Sequence, residues 1–276
     1  MSFDQFLREA SSLLGLQWRP FQRRGIKRKI ERRLAQIRLP DFEEYLLRIK
    51  EDPEEQGYLS KILTVTISRF FRDREVFSTI ESSVIPLIIK NEKENNLMAW
   101  SIGCASGEEP YSLVLLWRDR FGKMWPQIRL SILATDIDEN MLGRAKRGRY
   151  KKSSLREVPE GVLRNHFKGD NDFYVLDQTI RESVEFLRHD IIREDPFLGF
   201  DIVFCRNLAF TYFSKTSQIN VLKKIAVSLK EEGYLVIGKE ESLPLVYPTL
   251  FVPVFPEERI FQKFHPNFSF HDDEAS

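Results

Sequence analysis

Trp100-Ser-Ile-Gly-Cys-Ala-Ser-Gly-Glu-Glu-Pro-Tyr-Ser112 joins an apolar run to a predicted helix through a turn that contains two glycines. Gly103 and Gly107 can adopt backbone angles that other residues rarely adopt, and they let a ligand approach the main chain closely. Pro110 suits the first turn of a helix, where its missing N–H costs little. A glycine turn between a strand and a helix is typical of a nucleotide-binding site.

The same turn carries an acidic pair, Glu108 and Glu109, and has no Lys or Arg between Gly103 and Tyr111. Helix N-termini attract anions, but carboxylates at this position would repel a pyrophosphate. A nucleoside with a cationic appendage fits the turn better, and S-adenosylmethionine, with its ammonium and sulfonium groups, is the common one. If nothing else in the chain agreed, an ordinary helix with an acidic first turn would explain the pair.

Composition is that of an ordinary globular protein. The chain has 276 residues, enough for one large or two modest domains, and its formal net charge of +1 argues against a surface coated for nucleic acid. Its first residues include Asp4, Arg8 and Glu9, and no run reaches the roughly eighteen apolar residues of a membrane span. We therefore expect a cytoplasmic protein that does not insert into a membrane.

Cys104 and Cys205 are the two cysteines of the chain, and its four histidines are scattered. This set matches no recognisable zinc-ligand spacing, so the sequence predicts no metal site. We interpret both cysteines as small buried thiols rather than as redox or metal-binding groups.

Residues 1–80 have apolar residues at helical spacing and predict a small all-helical N-terminal domain. The predicted helices are Phe3 to Leu14, Phe21 to Ile37, Asp41 to Ile49 and Glu54 to Thr66. We call residues 21–37 the basic helix. Its apolar stripe is opposite a side rich in cations, which are Arg23, Arg24, Lys27, Arg28, Lys29, Arg32 and Arg33.

From Leu97 onward, short apolar runs alternate with amphipathic stretches, which predicts an α/β domain over residues 81–270 with a doubly wound, mostly parallel sheet. The predicted strands are 97–103, 128–135, 183–187, 201–205 and 233–238, and the helices between them are 108–120, 138–147 and 215–230. We interpret Gly233 as the stop after the last helix. Residues 174–180 predict a small extra strand or hairpin, and residues 271–276 a disordered tail.

Polar residues follow the predicted strands, at the end of a parallel sheet where ligands bind. Asp136 follows the second strand, at the distance where an acid meets ribose hydroxyls, although such an Asp is more often a helix cap and Asp138 is an alternative cap. His189-Asp190 follows the third strand and can reach an adenine edge, and Cys205-Arg206-Asn207 follows the fourth. Together with the glycine turn, these strand ends favour a nucleotide site.

Five motifs carry a resemblance to a known family. They are Ser68-Arg-Phe-Phe-Arg-Asp73, Ser106-Gly-Glu-Glu-Pro-Tyr-Ser112, Ala134-Thr-Asp-Ile-Asp138, Phe204-Cys-Arg-Asn207 with Tyr212-Phe213, and Gly238-Lys-Glu-Glu-Ser242. From the basic helix to about residue 262, the chain resembles the chemoreceptor methyltransferases (CheR-type), which methylate glutamate side chains with S-adenosyl-L-methionine and release S-adenosyl-L-homocysteine. The resemblance implies a helical N-terminal domain joined to a Rossmann-like class I methyltransferase domain.

The resemblance implies residues for the methionine end of the cofactor. Arg72 would meet its carboxylate, with Thr66 and Ser68 nearby, because a guanidinium matches a carboxylate bidentately. Glu109 would bind the ammonium, and Gly103 would let the cofactor approach the main chain.

For the nucleoside end, the resemblance implies that Asp136 binds the ribose hydroxyls. Asp190 and Ile191 would contact the edge and the face of the adenine. Cys205 and Arg206 would line the adenosine pocket, mainly through their backbone.

Tyr212 and Arg72 are the residues predicted to be catalytic. A glutamate carboxylate is already ionised near neutral pH, so methyl transfer needs positioning and dehydration more than a base. Tyr212 would place its hydroxyl near the reacting methyl and orient the acceptor oxygen.

The sequence departs from the family pattern at two places. Four residues, Leu208 to Thr211, separate Asn207 from Tyr212, where the family usually has three. Either Thr211 or a local bulge must absorb the additional residue. In the second departure, the usual Gly-His-Ser-Glu is Gly238-Lys-Glu-Glu, which removes a His on the acceptor side.

Arg24, Arg28 and Arg32 are spaced by four and share one face of the basic helix, with Lys27 beside them. The resemblance implies that this face receives an acidic helical segment of a chemoreceptor cytoplasmic domain, and that the protein acts as a monomer. A solvated basic face is the plain alternative.

The sequence is also compatible with two other functions. One is a related methyltransferase with a different acceptor: another protein, a small molecule or a nucleic acid. A nucleic-acid acceptor predicts aromatic residues among the cations, and only Trp18 and Phe21 flank them, so we expect no nucleic acid partner. Another is a non-enzymatic sensor of S-adenosylmethionine.

Overall fold

The structure, a computed structural model, describes residues 1–17, 24–64, 68–91 and 95–264. Thr66 and the predicted tail 271–276 lie outside these residues. In the described part of the chain, no helix is long and apolar enough to cross a membrane.

Among the described residues before the first strand, the regular elements are helices, as the apolar spacing predicts. They are α1 (Phe3–Leu13), α2 (Arg24–Ile37), α3 (Phe42–Glu51), α4 (Pro53–Leu63), α5 (Arg74–Thr79) and α6 (Ile85–Asn91), and a π-helical turn, Ile80–Val84, joins the last two. Local capping sets where they begin. Asp41 and Asp52 each accept two backbone N–H bonds at the start of α3 and α4, and Ser2 forms a capping box on α1.

The second part of the chain alternates strands and helices. The strands are β1 (Asn96–Ile102), β2 (Arg129–Asp136), β3 (Arg149–Lys151), β4 (Phe167–Asp170), β5 (Phe173–Leu176), β6 (Val184–Arg188), β7 (Phe200–Cys205), β8 (Leu229–Ile237), β9 (Phe251–Phe255) and β10 (Ile260–Lys263). The helices are α7 (Glu108–Leu116), α8 (Glu139–Arg147), α9 (Glu160–His166), α10 (Gln178–Arg181), α11 (Ala209–Tyr212) and α12 (Lys215–Ser228).

Seven strands form the main sheet in the order β6-β2-β1-β7-β8-β10-β9. The first five in this order pair in parallel, and β10 pairs antiparallel with β8 and β9. The prediction of a doubly wound, mostly parallel α/β sheet is confirmed. The five predicted strands are its parallel ones, whereas the antiparallel edge was not predicted. A small antiparallel sheet, β3-β5-β4, contains the extra strand predicted within 174–180.

The interpretation of Gly233 as a helix stop is wrong. Helix α12 ends at Ser228, and Leu229 is already extended and buried as the first residue of β8. Leu229 pairs with Phe200 and Tyr234 pairs with Ile202, so the residues between them bulge out of the ladder. Gly233 lies in this bulge, beside Glu232 at a φ of 61°.

Hydrophobic residues pack on both faces of the main sheet, because alternate residues of each strand point to opposite sides. In β1, Leu97 and Ala99 join the core that includes α7, and Trp100 and Ile102 join the core that includes α12. The second core also contains the buried faces of α1 to α4, so the N-terminal helices share a core with the sheet. The division of the chain at residue 80 stays a prediction.

Candidate functional site

A cavity of about 320 Å³ lies at the carboxyl ends of the parallel strands. This is the volume of a small-molecule site. Predicted site residues that line it are Ser68, Arg72, Gly103, Glu109, Asp136, Asp190, Ile191, Arg206 and Tyr212. Cys205 is not among the lining residues and is fully buried in the core below them. Helix α4 also lines the cavity, through Gln56, Gly57 and Ser60, and so does Thr64, the residue directly after it.

The glycine turn lies between β1 and α7 in the conformation that its sequence favours. Gly103 and Gly107 have φ angles of 71° and 87°. A Cβ on Gly107 would lie 2.9 Å from the Cβ of Ala145 and 3.1 Å from Phe186 Cζ, so a larger residue does not fit there. Gly107 therefore lets α7 pack against its neighbours, and Gly103 remains on the cavity wall.

The two acidic residues of the turn have different environments. Glu108 is buried away from the cavity and accepts hydrogen bonds from Ser106 Oγ at 3.0 and 3.1 Å. Glu109 lines the cavity and accepts a hydrogen bond from Ser101 Oγ at 2.8 Å. Burial raises the pKa of both carboxyl groups. Only Glu109 is therefore placed to meet a cationic ligand.

Arg206 connects the two walls of the cavity through its side chain. Its guanidinium lies 2.6 Å from Asp73 and 3.3 Å from Glu109, and it also donates to the backbone carbonyl of Arg72 at 2.9 Å. The expectation of a mainly backbone role for Arg206 therefore missed its main contacts. Sequence offered no signal for them, because Asp73 and Arg206 are remote in the chain and meet only in the fold.

The structure separates the alternatives for the acids after β2. Asp138 caps α8 by accepting the backbone N–H of Asn140 at 3.0 Å, and it pairs with Lys61 of α4 at 3.2 Å. Asp136 lines the cavity and accepts the backbone N–H groups of Ala105 and Asp138, both at 2.8 Å. Burial raises the pKa of Asp136.

Residues 190–194 form a loop beside the cavity, and a lysine of α12 holds this loop through its backbone carbonyls. Asp190 accepts the backbone N–H of Ile192 at 3.0 Å. The ammonium of Lys224, on α12, donates to the carbonyls of Ile191, Ile192 and Glu194 at 3.0, 3.1 and 2.6 Å. Lys224 was not predicted as a site residue, because in a sequence a lysine in the middle of an amphipathic helix is indistinguishable from a surface lysine.

The basic helix, α2, exposes part of its predicted basic face. Lys27, Arg28 and Arg32 are exposed, and the side chain of Arg24 lies outside the described residues. Arg33 differs from the others. It turns inward to form an ion pair with the buried carboxylate of Glu55 on α4, which also accepts a hydrogen bond from the Tyr45 hydroxyl at 3.1 Å. Arg33 thus belongs to the helix packing and not to the exposed basic face.

Both cysteines are free and buried, as interpreted from the sequence. Burial raises the pKa of the Cys104 and Cys205 thiols, so both are neutral at physiological pH. A neutral buried thiol is a poor nucleophile, and packing explains both residues.

The cavity as a whole has the chemistry of a zwitterion and nucleoside site. Its lining includes four guanidinium groups and three carboxylates, which are those of Arg69, Arg72, Arg193 and Arg206 and of Glu109, Asp136 and Asp190. Charges of both signs on one cavity wall suit a ligand that itself carries both a cation and an anion.

Comparison with known proteins agrees with this chemistry. Residues 66–256 match the family model described as CheR methyltransferase, SAM binding domain. A chemotaxis protein methyltransferase of Listeria innocua is 31% identical over 238 residues, which are 86% of this chain and 88% of that protein. Chemotaxis protein methyltransferase 2 of Vibrio cholerae is 30% identical, over 86% of this chain and 85% of that protein.

One relative is much longer. An uncharacterized 104.1 kDa protein of Rhodobacter capsulatus is 30% identical over 87% of this chain, which spans 25% of that protein. The family match identifies the cofactor as S-adenosyl-L-methionine, and the carboxylates and guanidinium groups of the cavity wall fit that zwitterionic nucleoside. On the match over residues 66–256, the chain belongs to the CheR methyltransferase family.

Proposed function

We propose that the protein is a protein-glutamate O-methyltransferase that forms methyl esters on an acidic helical segment of a chemoreceptor cytoplasmic domain. One observation carries the proposal: α4 lines the cofactor cavity on one side and holds the exposed basic helix through Glu55 on the other. An acceptor docked on the basic helix is therefore one helix away from the cofactor. Two relatives named as chemotaxis methyltransferases support the choice of acceptor. We further propose a cytoplasmic monomer with no nucleic acid partner.

The cavity residues hold the cofactor in this proposal as follows. Arg72 binds the methionine carboxylate and Glu109 the ammonium, since each offers the opposite charge. Asp136 binds the ribose hydroxyls, and Asp190 with Ile191 contacts the adenine. Ser68 and Gly103 complete the wall around the methionine end. For Thr66 and Cys205 the proposal assigns no contact.

Reaction within this site needs few proton transfers. S-adenosylmethionine supplies an electrophilic methyl group on a sulfonium. Tyr212, which lines the cavity, orients the acceptor carboxylate, and the walls exclude water from it. A carboxylate is ionised at neutral pH, so no general base has to be assigned.

Labelling tests the proposal directly. The protein is incubated with methyl-labelled S-adenosylmethionine and a purified chemoreceptor cytoplasmic domain, and label on the receptor should be released as methanol by mild base, because glutamate esters hydrolyse readily. Base-stable label, or label absent from the receptor, would contradict the proposal. Transfer to other acceptors would then favour a related methyltransferase, for which Lys239 in place of the family His is the motivating observation. Binding without transfer to any acceptor would favour a sensor.

We expect cofactor affinity to fall when the pH is lowered through the raised pKa values of Glu109 and Asp136. Both groups must be ionised to bind, and burial makes them protonate at a higher pH than an exposed carboxyl group. Titration calorimetry with S-adenosylhomocysteine should give a limiting slope of log Kd against pH of about −2, one proton for each group. E109Q should bind weakly with a slope of about −1. A slope unchanged by E109Q would exclude Glu109 from ligand binding.

Charge reversal on the basic helix should raise the KM for the receptor without changing cofactor affinity. The double variant R28E/R32E is expected to raise KM about tenfold, because the partner proposed for this face is acidic. K123E/R129E is the matched control. It makes the same charge change on exposed residues near the opposite, amino-terminal end of β2. An equal rise in KM in both variants would show only a net-charge effect.

A further inference from the structure

The turn that leads to Tyr212 is fastened to a buried carboxylate. Glu241 is 2% exposed, and its Oε2 accepts the backbone N–H groups of Asn207 and Gly238, both at 2.7 Å. Its Oε1 accepts the Thr211 hydroxyl, also at 2.7 Å. Hydrogen bonds to an ionised acceptor are short and strong. Glu241 therefore connects the end of β8 to both ends of the turn.

The side chains of Asn207 and Glu241 pack directly against the Cα of Gly238. A Cβ on Gly238 would lie 2.5 Å from Asn207 Nδ2 and 2.8 Å from Glu241 Oε2, so a side chain at this position would push the carboxylate away from the turn. Asn207 itself has a φ of 56°, which starts the turn in the left-handed region. The backbone conformations of Gly238 and Asn207 therefore both help to fix the position of the Glu241 carboxylate.

The additional residue between Asn207 and Tyr212 is absorbed by α11. The backbone N–H groups of Thr211 and Tyr212 both donate to the Leu208 carbonyl, at 3.2 and 2.9 Å, so the longer segment forms one helical turn. This turn brings the Thr211 hydroxyl onto Glu241. Within the lengthened segment, Thr211 therefore makes a direct contact with Glu241.

The N-terminal segment, residues 15–17, also holds the backbone of Tyr212. Its carbonyl accepts the backbone N–H of Gln17 at 2.7 Å, and Ser214 donates to the Gly15 carbonyl at 2.8 Å, around a bridge between Leu16 and Phe213. Residues 15–17 thus hold the segment after α11, and the hydrogen bond from Thr211 to Glu241 holds α11 itself. Tyr212 lines the cavity between the two attachments.

We propose that Thr211 is a positioning residue whose hydroxyl, held by Glu241, sets the direction of the Tyr212 side chain toward the methyl acceptor. The inference rests on the proposed role of Tyr212 in methyl transfer. It assigns a function to one residue of the lengthened segment: Thr211 compensates for the altered spacing by fastening the turn to Glu241.

Thr211→Val removes the hydroxyl and keeps the shape. We expect kcat to fall about tenfold, the cost of one hydrogen bond to a charged group, with the KM for the receptor and the Kd for S-adenosylhomocysteine changed less than about twofold. Thr211→Ser restores the hydroxyl and should recover most of the turnover. Thr249→Val, which removes an exposed hydroxyl bonded to the Val246 carbonyl, is the matched control for loss of a threonine hydroxyl.

A double-mutant cycle separates positioning from a general structural effect. In a Y212F background, T211V should cause no further loss of kcat, because Thr211 acts through the Tyr212 hydroxyl. An equal loss in both backgrounds would overturn the proposal. So would a T211V variant with unchanged kcat.

Fluorine NMR of a fluorotyrosine placed at position 212 gives a readout that needs no acceptor. T211V should shift or broaden this signal in the complex with S-adenosylhomocysteine, and T211S should restore it. If the signal responds while the wild-type protein methylates no receptor, the proposed acceptor is wrong and the positioning role stands. If the wild-type protein methylates the receptor and neither the signal nor kcat responds to T211V, the positioning role is wrong.

Discussion

Arg206→Met is expected to lower the free energy of unfolding by about 3 kcal/mol, because it leaves two partly buried carboxylates without the buried cation that pairs with both. The side chain of Arg206 is 2% exposed and contacts Asp73 at 2.6 Å and Glu109 at 3.3 Å. Chemical denaturation of the ligand-free protein measures the effect. Cofactor affinity should also fall, because Glu109 would lose the partner that keeps it ionised.

Arg149→Met is the control for this prediction. Arg149 forms an ion pair with Asp170 at 2.9 Å, but its side chain is 44% exposed. Exposed pairs contribute about 0–1 kcal/mol, so this variant should unfold almost like the wild type. Similar losses in the two variants would show that burial of the Arg206 pairs does not determine their strength.

Asp136→Ala is expected to weaken S-adenosylhomocysteine binding at least about 100-fold, since it removes the charged acceptor that we propose for two ribose hydroxyls. The variant also frees the backbone N–H groups of Ala105 and Asp138, which Asp136 accepts in the cavity wall. Tyr212→Phe should keep the Kd and lower kcat by about 10- to 100-fold, because its hydroxyl is assigned to the reacting complex alone. Calorimetry and single-turnover labelling separate the two effects.

Asp138→Ala is the control for Asp136, because it removes a nearby carboxylate that caps α8. Loss of a cap costs about 1 kcal/mol of stability, and the Kd for S-adenosylhomocysteine should change less than about threefold. Equal affinity losses from D136A and D138A would contradict the ribose assignment. Equal affinity losses from D136A and Y212F would contradict the separation of binding from turnover.

The parts of the fold that sequence predicted are those with strong local signals. Helices α1 to α4 and the parallel strands have clear apolar periodicity, and the capping acids Asp41 and Asp52 mark where two helices start. Strands β9 and β10, on the antiparallel side of the sheet, escaped prediction because they are short and have no such pattern. The prediction that Gly233 ends a helix was wrong because a glycine after a helix and a glycine in a bulge look the same in a sequence.

For the site too, the residues with local sequence signals were predicted and those without such signals were not. The glycine turn, Asp136, Asp190 and Arg206 directly follow apolar runs, so they were expected at the ends of strands, and the cavity brings them together. The contacts between remote segments were not predicted. Lys224, which holds residues 190–194, and Glu241, which holds the turn before Tyr212, are examples, since each contacts residues about thirty positions away.

The sequence by itself determined the family, the cofactor and the set of residues at the strand ends, because these depend on motifs in which neighbours in the chain act together. Only the tertiary structure decided which acid of a pair faces the ligand. Glu108 and Glu109 are adjacent and chemically equivalent in the sequence, yet successive residues of a helix point in different directions, so one is buried beside Ser106 and the other faces Arg206 and the cavity. The direction of a side chain depends on what packs around it, which the sequence does not state locally.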